Sequence, residues 1–310
     1  MSRLVREQVA HVACRIGIDE NGLGPQLGPM VVTGVVASVS DGASAKIDAE
    51  LLDDSKKLVA HGDIELAEAW ARTLLPSATD PRSLIESISL DDRETLEAPC
   101  PDKLSTQCWG LDRMSFHASK EVLKRVQKRV DQLRAKGFAI TGVKSVLVCP
   151  SRLHDQIVGT RSIYHADLFA MERLLSSFRA ERDEEIDAIC GKVGGLGKYL
   201  PHLRLLTAPA TIEQEERRCA TYRIAGLGRV SFVQDADASE PLVAIASLVG
   251  KYVREITMGT ITSFYRQRDP SLADVSGYHD PVTRKFVLAT APIRENEKIP
   301  NRCFLRPRKA

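Results

Sequence analysis

The fold is decided by the stretch Ile16-Gly-Ile-Asp-Glu-Asn-Gly-Leu-Gly-Pro-Gln-Leu-Gly-Pro29. Its apolar start, residues 16–18, predicts a short strand that ends at two adjacent acids, Asp19 and Glu20. A glycine-rich turn follows. The apolar run 30–39 then predicts a second strand, which forms a β-hairpin with the first and is buried on both faces.

Two interpretations of the acidic turn stay open on this stretch alone. Carboxylates at the end of a buried strand cost free energy unless a partner compensates their charge, and a divalent metal ion is one such partner. Glycines beside the acids would let a polymer backbone come close. The alternative is a hairpin with a solvated acidic corner, because glycine and proline also mark ordinary turns.

Composition limits the class of protein. The chain has 310 residues, 43% hydrophobic and 27% charged, so it can form one large domain or two smaller ones. A net charge of +2 argues neither for nor against a nucleic-acid partner. The seven scattered cysteines form no Cys-x-x-Cys pair, which favours reduced thiols and a cytoplasmic protein. We expect no signal peptide and no membrane span, since no apolar segment approaches ~20 residues.

Strands alternate with helices after the hairpin. Apolar spacing predicts helices at residues 63–75, 111–136, 166–178, 241–264 and 282–288. Apolar runs predict strands at residues 142–149, 185–190, 203–206 and 229–233. The prolines and polar residues of the segment 76–110 predict loops and one short helix there. This order predicts an α/β fold, in which a mixed sheet is covered by helices and functional sites gather at strand ends.

A second pair of acids, Asp235 and Asp237, lies at such a strand end. They follow the predicted strand 229–233 and precede the helix that Pro241 opens. The helix dipole alone would stabilise acids at this place. A functional interpretation requires that Asp237 meet Asp19 and Glu20 in space, which sequence spacing does not determine.

Four motifs in one order resemble those of ribonuclease HII. Residues 17–29 resemble its opening motif, Asp-Glu-Ala-Gly-Arg-Gly-Pro-x-x-Gly-Pro, and Asp54-Ser-Lys-Lys-Leu58 resembles its second signature. Residues 237–255 match a pattern of that family without a gap, and Ser276-Gly-Tyr278 resembles its late Lys-Gly-Tyr. The resemblance predicts a divergent, enlarged family member. Its boundaries would be a catalytic domain at residues 1–285, insertions around 60–110 and 205–228, and a basic tail at 286–310.

The resemblance implies a ribonuclease H-like α/β fold, with a five-stranded mixed sheet flanked by helices. The implied activity is cleavage of the RNA strand of an RNA–DNA hybrid, or cleavage at an RNA–DNA junction, by metal-activated water. Carboxylates of the family hold two Mg²⁺ or Mn²⁺ ions. Asp19, Glu20 and Asp237 match three of the four family carboxylates.

The resemblance also assigns contacts with nucleic acid. The turn Gly22-Leu23-Gly24 matches the segment whose backbone reads ribose 2′-hydroxyls, which distinguish RNA from DNA. Tyr278 matches a tyrosine that stacks near the junction, and Lys56 and Lys57 would contact phosphate. The implied partner is an RNA–DNA hybrid or ribonucleotide-containing DNA, bound by a monomer with no membrane association.

Two departures from the family pattern affect the expected activity. Gly191 stands where the family has its remaining aspartate. Asp187 lies too early on the same strand to replace it, and Asp235 is a better substitute if the strand before it continues. A different alignment register is the third explanation. Leu23 stands where the family usually has arginine.

These departures leave two classes of function. The first is a working metal-dependent endoribonuclease, and the second is a catalytically impaired relative that binds nucleic acid without cleaving it. We favour the first, because three unpaired acids would repel a phosphate backbone unless metal were present. A metabolic α/β enzyme is disfavoured, since the chain has no dinucleotide or Walker-type fingerprint. His165 and Asp167, near a helix start, are expected to be caps or surface residues.

Overall fold

The computed structural model describes residues 13–40, 64–101, 106–160 and 162–307. The motif at residues 54–58, with Lys56 and Lys57, lies outside these ranges. All seven cysteines lie within them and are free thiols.

The predicted hairpin is confirmed. Strand β1 (Ala13–Asn21) pairs antiparallel with β2 (Met30–Val39), and Glu20 lies opposite Val32. Almost every residue of β2 is buried, as its unbroken apolar run predicts.

The hairpin belongs to a seven-stranded mixed sheet of order β3-β2-β1-β4-β7-β6-β5. The other strands are β3 (Phe138–Val148), β4 (Ile186–Gly191), β5 (Ala210–Glu215), β6 (Cys219–Ile224) and β7 (Gly228–Val233). Strands β1, β4 and β7 are parallel neighbours, whereas the remaining pairs are antiparallel. The prediction of a mixed sheet is confirmed. The sheet has seven strands rather than the expected five, because β5 and β6 extend it beyond β7.

The predicted strand at residues 203–206 is wrong. These residues form no strand because the backbone N–H groups of Arg204, Leu205 and Leu206 donate hydrogen bonds to the Glu172 carboxylate. Strand β5 forms later in the chain, at Ala210–Glu215, in a polar segment that has no apolar run to predict a strand. Its pairing with β6, supported by Glu213 contacts with Arg223 and Arg229, stabilises it.

Helices cover both faces of the sheet. They are α1 (Glu65–Leu74), α2 (Pro81–Ile88), α3 (Arg93–Glu97), α4 (Thr106–Trp109), α5 (Lys120–Ala135), α6 (Pro150–Thr160), α7 (Ile163–Ala180), α8 (Pro241–Arg266), α9 (Pro281–Ala289), α10 (Ala291–Asn296) and α11 (Asn301–Phe304). The expectation of one short helix in residues 76–110 is wrong, because Asp80 and Asp92 each cap a separate helix there.

The central helix α8 lies very close to the first hairpin. A Cβ atom at Gly17 would lie 2.3 Å from the backbone of Val243, and one at Gly250 would lie 2.4 Å from Asn21 Nδ2. Side chains at these places would force the helix away from the sheet, which is why glycine occupies both. This approach places Ser247 and Lys251 of α8 beside the acidic end of β1.

Two apolar cores form on opposite faces of the sheet. One lies under α8, with α1, α2 and α5, and the other lies under α7. No helix in the described part of the chain is both long enough and apolar enough to cross a membrane.

Candidate functional site

The ends of three parallel strands form one cleft of about 430 Å³. Asp19 and Glu20 end β1, Gly191 ends β4, and Asp237 follows β7; all of them line the cleft. Because β1, β4 and β7 run in the same direction, their carboxyl ends meet at one edge of the sheet. The structure therefore brings together the three acids that the family resemblance selects.

Asp19 is a half-buried acid at the centre of this cleft. Its pKa is raised to about 7, chiefly by burial and in addition by the nearby Asp237 carboxylate. A hydrogen bond from Ser247 and the charge of Lys251 act in the opposite direction. The positive charge of α8 therefore compensates the acids only in part.

Glu20 is the most strongly perturbed acid that lines the described cleft. Its pKa rises to about 9, first because of burial, then because of Asp167, and then because of Asp19. A carboxyl group with so high a pKa lacks the positive partner that would keep it ionised near neutral pH. The cleft thus has a deficit of positive charge.

The expectation that Asp167 is a cap or a surface residue is wrong. Ser162 caps helix α7, and Asp167 on that helix is 0% exposed. Neither of its carboxylate oxygens has a hydrogen-bond partner among the described residues. A sequence signal existed: Asp167 lies four residues from both Ile163 and Met171, on the apolar stripe of the helix.

Gly191 lies where a strand-end carboxylate would face the acids. A Cβ atom at this residue would lie 2.8 Å from Asp19 Oδ1 and 3.4 Å from Glu20 Oε2. Asp187, at the start of β4, forms an ion pair of 3.5 Å with Arg15 and lies away from the cleft acids. Position 191 therefore belongs to the cluster but contributes no side chain.

Asp235 was expected to replace the missing aspartate if strand β7 continued to it, but the strand ends earlier. Strand β7 ends at Val233, and Asp235 adopts a left-handed backbone conformation with φ 55°. Its exposed side chain forms an ion pair of 3.1 Å with Arg218 at the rim of the cleft. The premise of a continuing strand is wrong because the chain turns before Asp235.

The glycine turn lies beside Tyr278, and the resemblance assigns contacts with nucleic acid to both. Gly22 has φ 91°, a conformation that favours glycine. Among the described residues, a Cβ atom at Gly24 would meet the Tyr278 ring alone, at 3.8 Å, so the turn backbone is open there. Leu23, in place of the family's arginine, packs partly buried against the apolar core under α7.

Two buried arginines lie against this turn, and only the tertiary structure reveals them. Arg306, near the end of the described chain, donates hydrogen bonds to the carbonyls of Gly22 and Gly28. Arg254 of α8 donates to the Ser276 carbonyl at 2.7 Å and lies 4.8 Å from the Tyr278 ring centre. Burial and the proximity of Arg254 lower the pKa of Arg306 to about 9.

The donor chemistry of the cleft suits a hard divalent cation, which prefers carboxylate oxygens. Within the described ranges, no three Asp, Glu, His or Cys side chains converge closely enough to hold an ion as they stand. Like charges repel when no cation lies between them. Ion binding would therefore require the cleft acids to rotate toward one another.

A model of the family Ribonuclease HII matches residues 16–97, which contain the acidic turn and the motif at 54–58. This match covers 82 of the 310 residues, so it shows similarity to that family over the first part of the chain. No curated protein matches the sequence.

Solved structures of related proteins resemble the chain at low identity. The PCNA:RNase HII complex from Archaeoglobus fulgidus matches at 21% identity and TM-score 0.41, over 95% of this chain and 94% of that one. Bst-RNase HIII in complex with Mn²⁺ matches at 13% and 0.43, over 95% and 66%. Ribonuclease H2 from Pyrococcus horikoshii OT3 matches at 14% and 0.37, over 94% and 92%. Likenesses at this level add no evidence about function.

Proposed function

We propose that the protein is a metal-dependent endoribonuclease. It would cleave the RNA strand of RNA–DNA hybrids, or cleave at RNA–DNA junctions in ribonucleotide-containing DNA. The observation that carries this proposal is the shared cleft of Asp19, Glu20 and Asp237 at the ends of neighbouring parallel strands. The family match over residues 16–97 supports the same activity.

Asp19, Glu20 and Asp237 would hold Mg²⁺ or Mn²⁺, with Asp235 at the rim as a further candidate. Bound ions of this kind supply an activated water and stabilise the leaving oxygen. The raised pKa values of Asp19 and Glu20 support this assignment, since the acids lack sufficient positive charge of their own. Ser247 would orient Asp19 through their hydrogen bond.

The turn Gly22-Leu23-Gly24 would bring its backbone against the RNA strand. Its open face beside Gly24 suits contact with a ribose 2′-hydroxyl, the group that marks RNA. Tyr278 is 45% exposed and is available to stack on a sugar or base next to the cleavage point. The roles of Lys56 and Lys57 at phosphate stay predictions.

Labelled duplexes test the proposal. The purified protein is incubated with an RNA–DNA hybrid, with DNA that contains one ribonucleotide, and with plain DNA, each with Mg²⁺ or Mn²⁺. We expect cleavage of one or both RNA-containing substrates and none of plain DNA. Asp19→Asn should abolish cleavage, whereas Asp187→Asn, at the far end of β4, should retain it. Cleavage that survives Asp19→Asn would refute the assigned site.

A second function is favoured by Gly191 and Leu23, which remove a carboxylate and a positive charge that the family pattern contains. This alternative is a ribonuclease HII-like protein that binds hybrid duplexes without cleaving them. It predicts salt-dependent binding of the RNA-containing duplexes in the absence of any cleavage. The monomeric state and the cytoplasmic location stay predictions.

A further inference from the structure

Helix α7 buries an acid that has no partner among the described residues. Asp167 is completely buried, and neither carboxylate oxygen accepts a hydrogen bond from them. Buried carboxylates are normally hydrogen-bonded or paired with a positive charge. On the same helix, buried Glu172 follows this rule, because it accepts three backbone N–H groups. Asp167 therefore lacks the backbone hydrogen-bond donors that Glu172 has.

The charged groups that interact with Asp167 are the acids of the cleft. Asp167 raises the pKa of Glu20 more than any other charged group does, and Asp19 is the charged group that acts on Asp167. Asp167 also acts on Cys190, the residue before Gly191. In the described part of the chain, no basic group opposes these effects on Asp167. Asp167 is thus near enough to Asp19 and Glu20 to interact with them electrostatically, and no described basic group compensates its charge.

The start of helix α7 packs against the segment that follows β4. The ring of Tyr164 lies so near Gly194 and Gly195 that a Cβ atom at either would lie within 3.0 Å of it. Asp167 lies about one helical turn after Tyr164, and Gly194 lines the cleft of the acids. Gly191, at the end of β4, contributes no side chain toward Asp19 and Glu20.

We propose that Asp167 is the fourth carboxylate ligand of the cluster with Asp19, Glu20 and Asp237. It would supply from helix α7 the oxygen donors that β4 does not supply at Gly191. The inference rests on the proposed function for the identity of the other three ligands. It accounts both for the unpartnered buried acid and for the absent strand-end aspartate.

The simplest competing explanation is that Asp167 is a protonated residue of the core with no role in the cleft. The two explanations differ in what happens when the acid is replaced by its amide. A core residue would leave metal binding unchanged, whereas a ligand would not. Glu172→Gln is a matched control, because it makes the same chemical change at a buried acid of the same helix.

Binding of Mn²⁺ alone, without nucleic acid, is the appropriate measurement. Titration calorimetry and the paramagnetic resonance of free Mn²⁺ give the affinity and the number of ions bound to the full chain. We expect Asp167→Asn to weaken Mn²⁺ binding at least ~10- to 100-fold, the range found when groups around a metal are lost. Glu172→Gln should keep wild-type affinity. Asp167→Ser, which is smaller and also neutral, replaces the amide variant if that variant does not fold.

Thermal unfolding with and without Mn²⁺ gives a second readout. Mn²⁺ should raise the melting temperature of the wild type and of Glu172→Gln, and raise that of Asp167→Asn much less. Metal-free Asp167→Asn should melt no lower than the wild type, because it removes an unpartnered charge. Wild-type Mn²⁺ affinity in both Asp167 variants, or no Mn²⁺ binding by the wild type, would overturn the inference.

The outcomes separate this inference from the proposed function. Cleavage of hybrid by the wild type together with unchanged Mn²⁺ affinity in Asp167→Asn refutes the ligand and leaves the endoribonuclease. Asp167-dependent Mn²⁺ binding without cleavage of any duplex supports the ligand and refutes the endoribonuclease.

Discussion

Replacing Asp19 by asparagine should stabilise the metal-free protein at alkaline pH. Burial raises the pKa of Asp19 from 3.8 to about 7, so the folded state disfavours the ionised carboxylate. This difference corresponds to about 4 kcal/mol, at about 1.36 kcal/mol for each pH unit. Because Asp237 shares the repulsion, 4 kcal/mol is an upper value for Asp19 alone.

The sign of the pH dependence follows from the direction of this shift. An acid with a raised folded-state pKa binds its proton more tightly in the folded protein than in the unfolded chain. The wild type should therefore lose stability as the pH rises from 3.8 to about 7, and the loss is complete above that value. Asp19→Asn removes this loss, so the two proteins should be equally stable in acid, diverge as the pH rises from 3.8 to about 7, and differ by a constant amount above that value.

Urea unfolding in the presence of a chelator measures the effect across pH. Trp70 and Trp109 are buried, so their fluorescence reports loss of the core under α8. Saturating Mn²⁺ should narrow the difference, since an ion at 100 times its dissociation constant adds about 2.7 kcal/mol to the wild type alone. A metal-free Asp19→Asn protein that is no more stable than the wild type above neutral pH would refute the account of the cleft as an uncompensated acidic site.

Other substitutions separate the roles of the glycine turn and its surroundings. Arg306→Met should lower the free energy of unfolding by about 1–3 kcal/mol and weaken substrate binding, because it leaves buried turn carbonyls without donors; urea unfolding and the KM for hybrid measure both effects. Tyr278→Ala should weaken binding of RNA-containing duplexes by about 1–3 kcal/mol and leave the melting temperature unchanged, as measured by fluorescence anisotropy and thermal unfolding. Gly22→Ala should destabilise the fold by about 1–3 kcal/mol, since its Cβ would meet Arg254 Nε at 2.9 Å; unchanged urea unfolding would contradict this close approach of Arg254 to the turn. Replacing Lys56 and Lys57 by glutamine should reduce the salt dependence of duplex binding by a log–log slope of about 1 for each lysine, and an unchanged slope would remove them from the phosphate path.

Local structure followed closely from local sequence. The β1–β2 hairpin and the long helix that begins at Pro241 were predictable, because apolar periodicity and capping residues act between neighbours in the chain. The same reasoning failed at residues 203–206, where an apolar run suggested a strand. Its backbone donors are taken by Glu172, a residue of a distant helix, and no local pattern reports such a contact.

Some features of the site were likewise predictable from the sequence, and others were not. The acidic turn and the motif order are evident from residue type and spacing, and the family resemblance selected Asp19, Glu20 and Asp237. Only the tertiary structure placed their strands side by side, turned Asp235 toward Arg218, and brought Arg306 under the glycine turn. Only the tertiary structure buried Asp167 beside Asp19. Residue type and spacing specify local conformation, whereas burial, charge compensation and contact between distant segments arise when the packed sheet and helices exclude water.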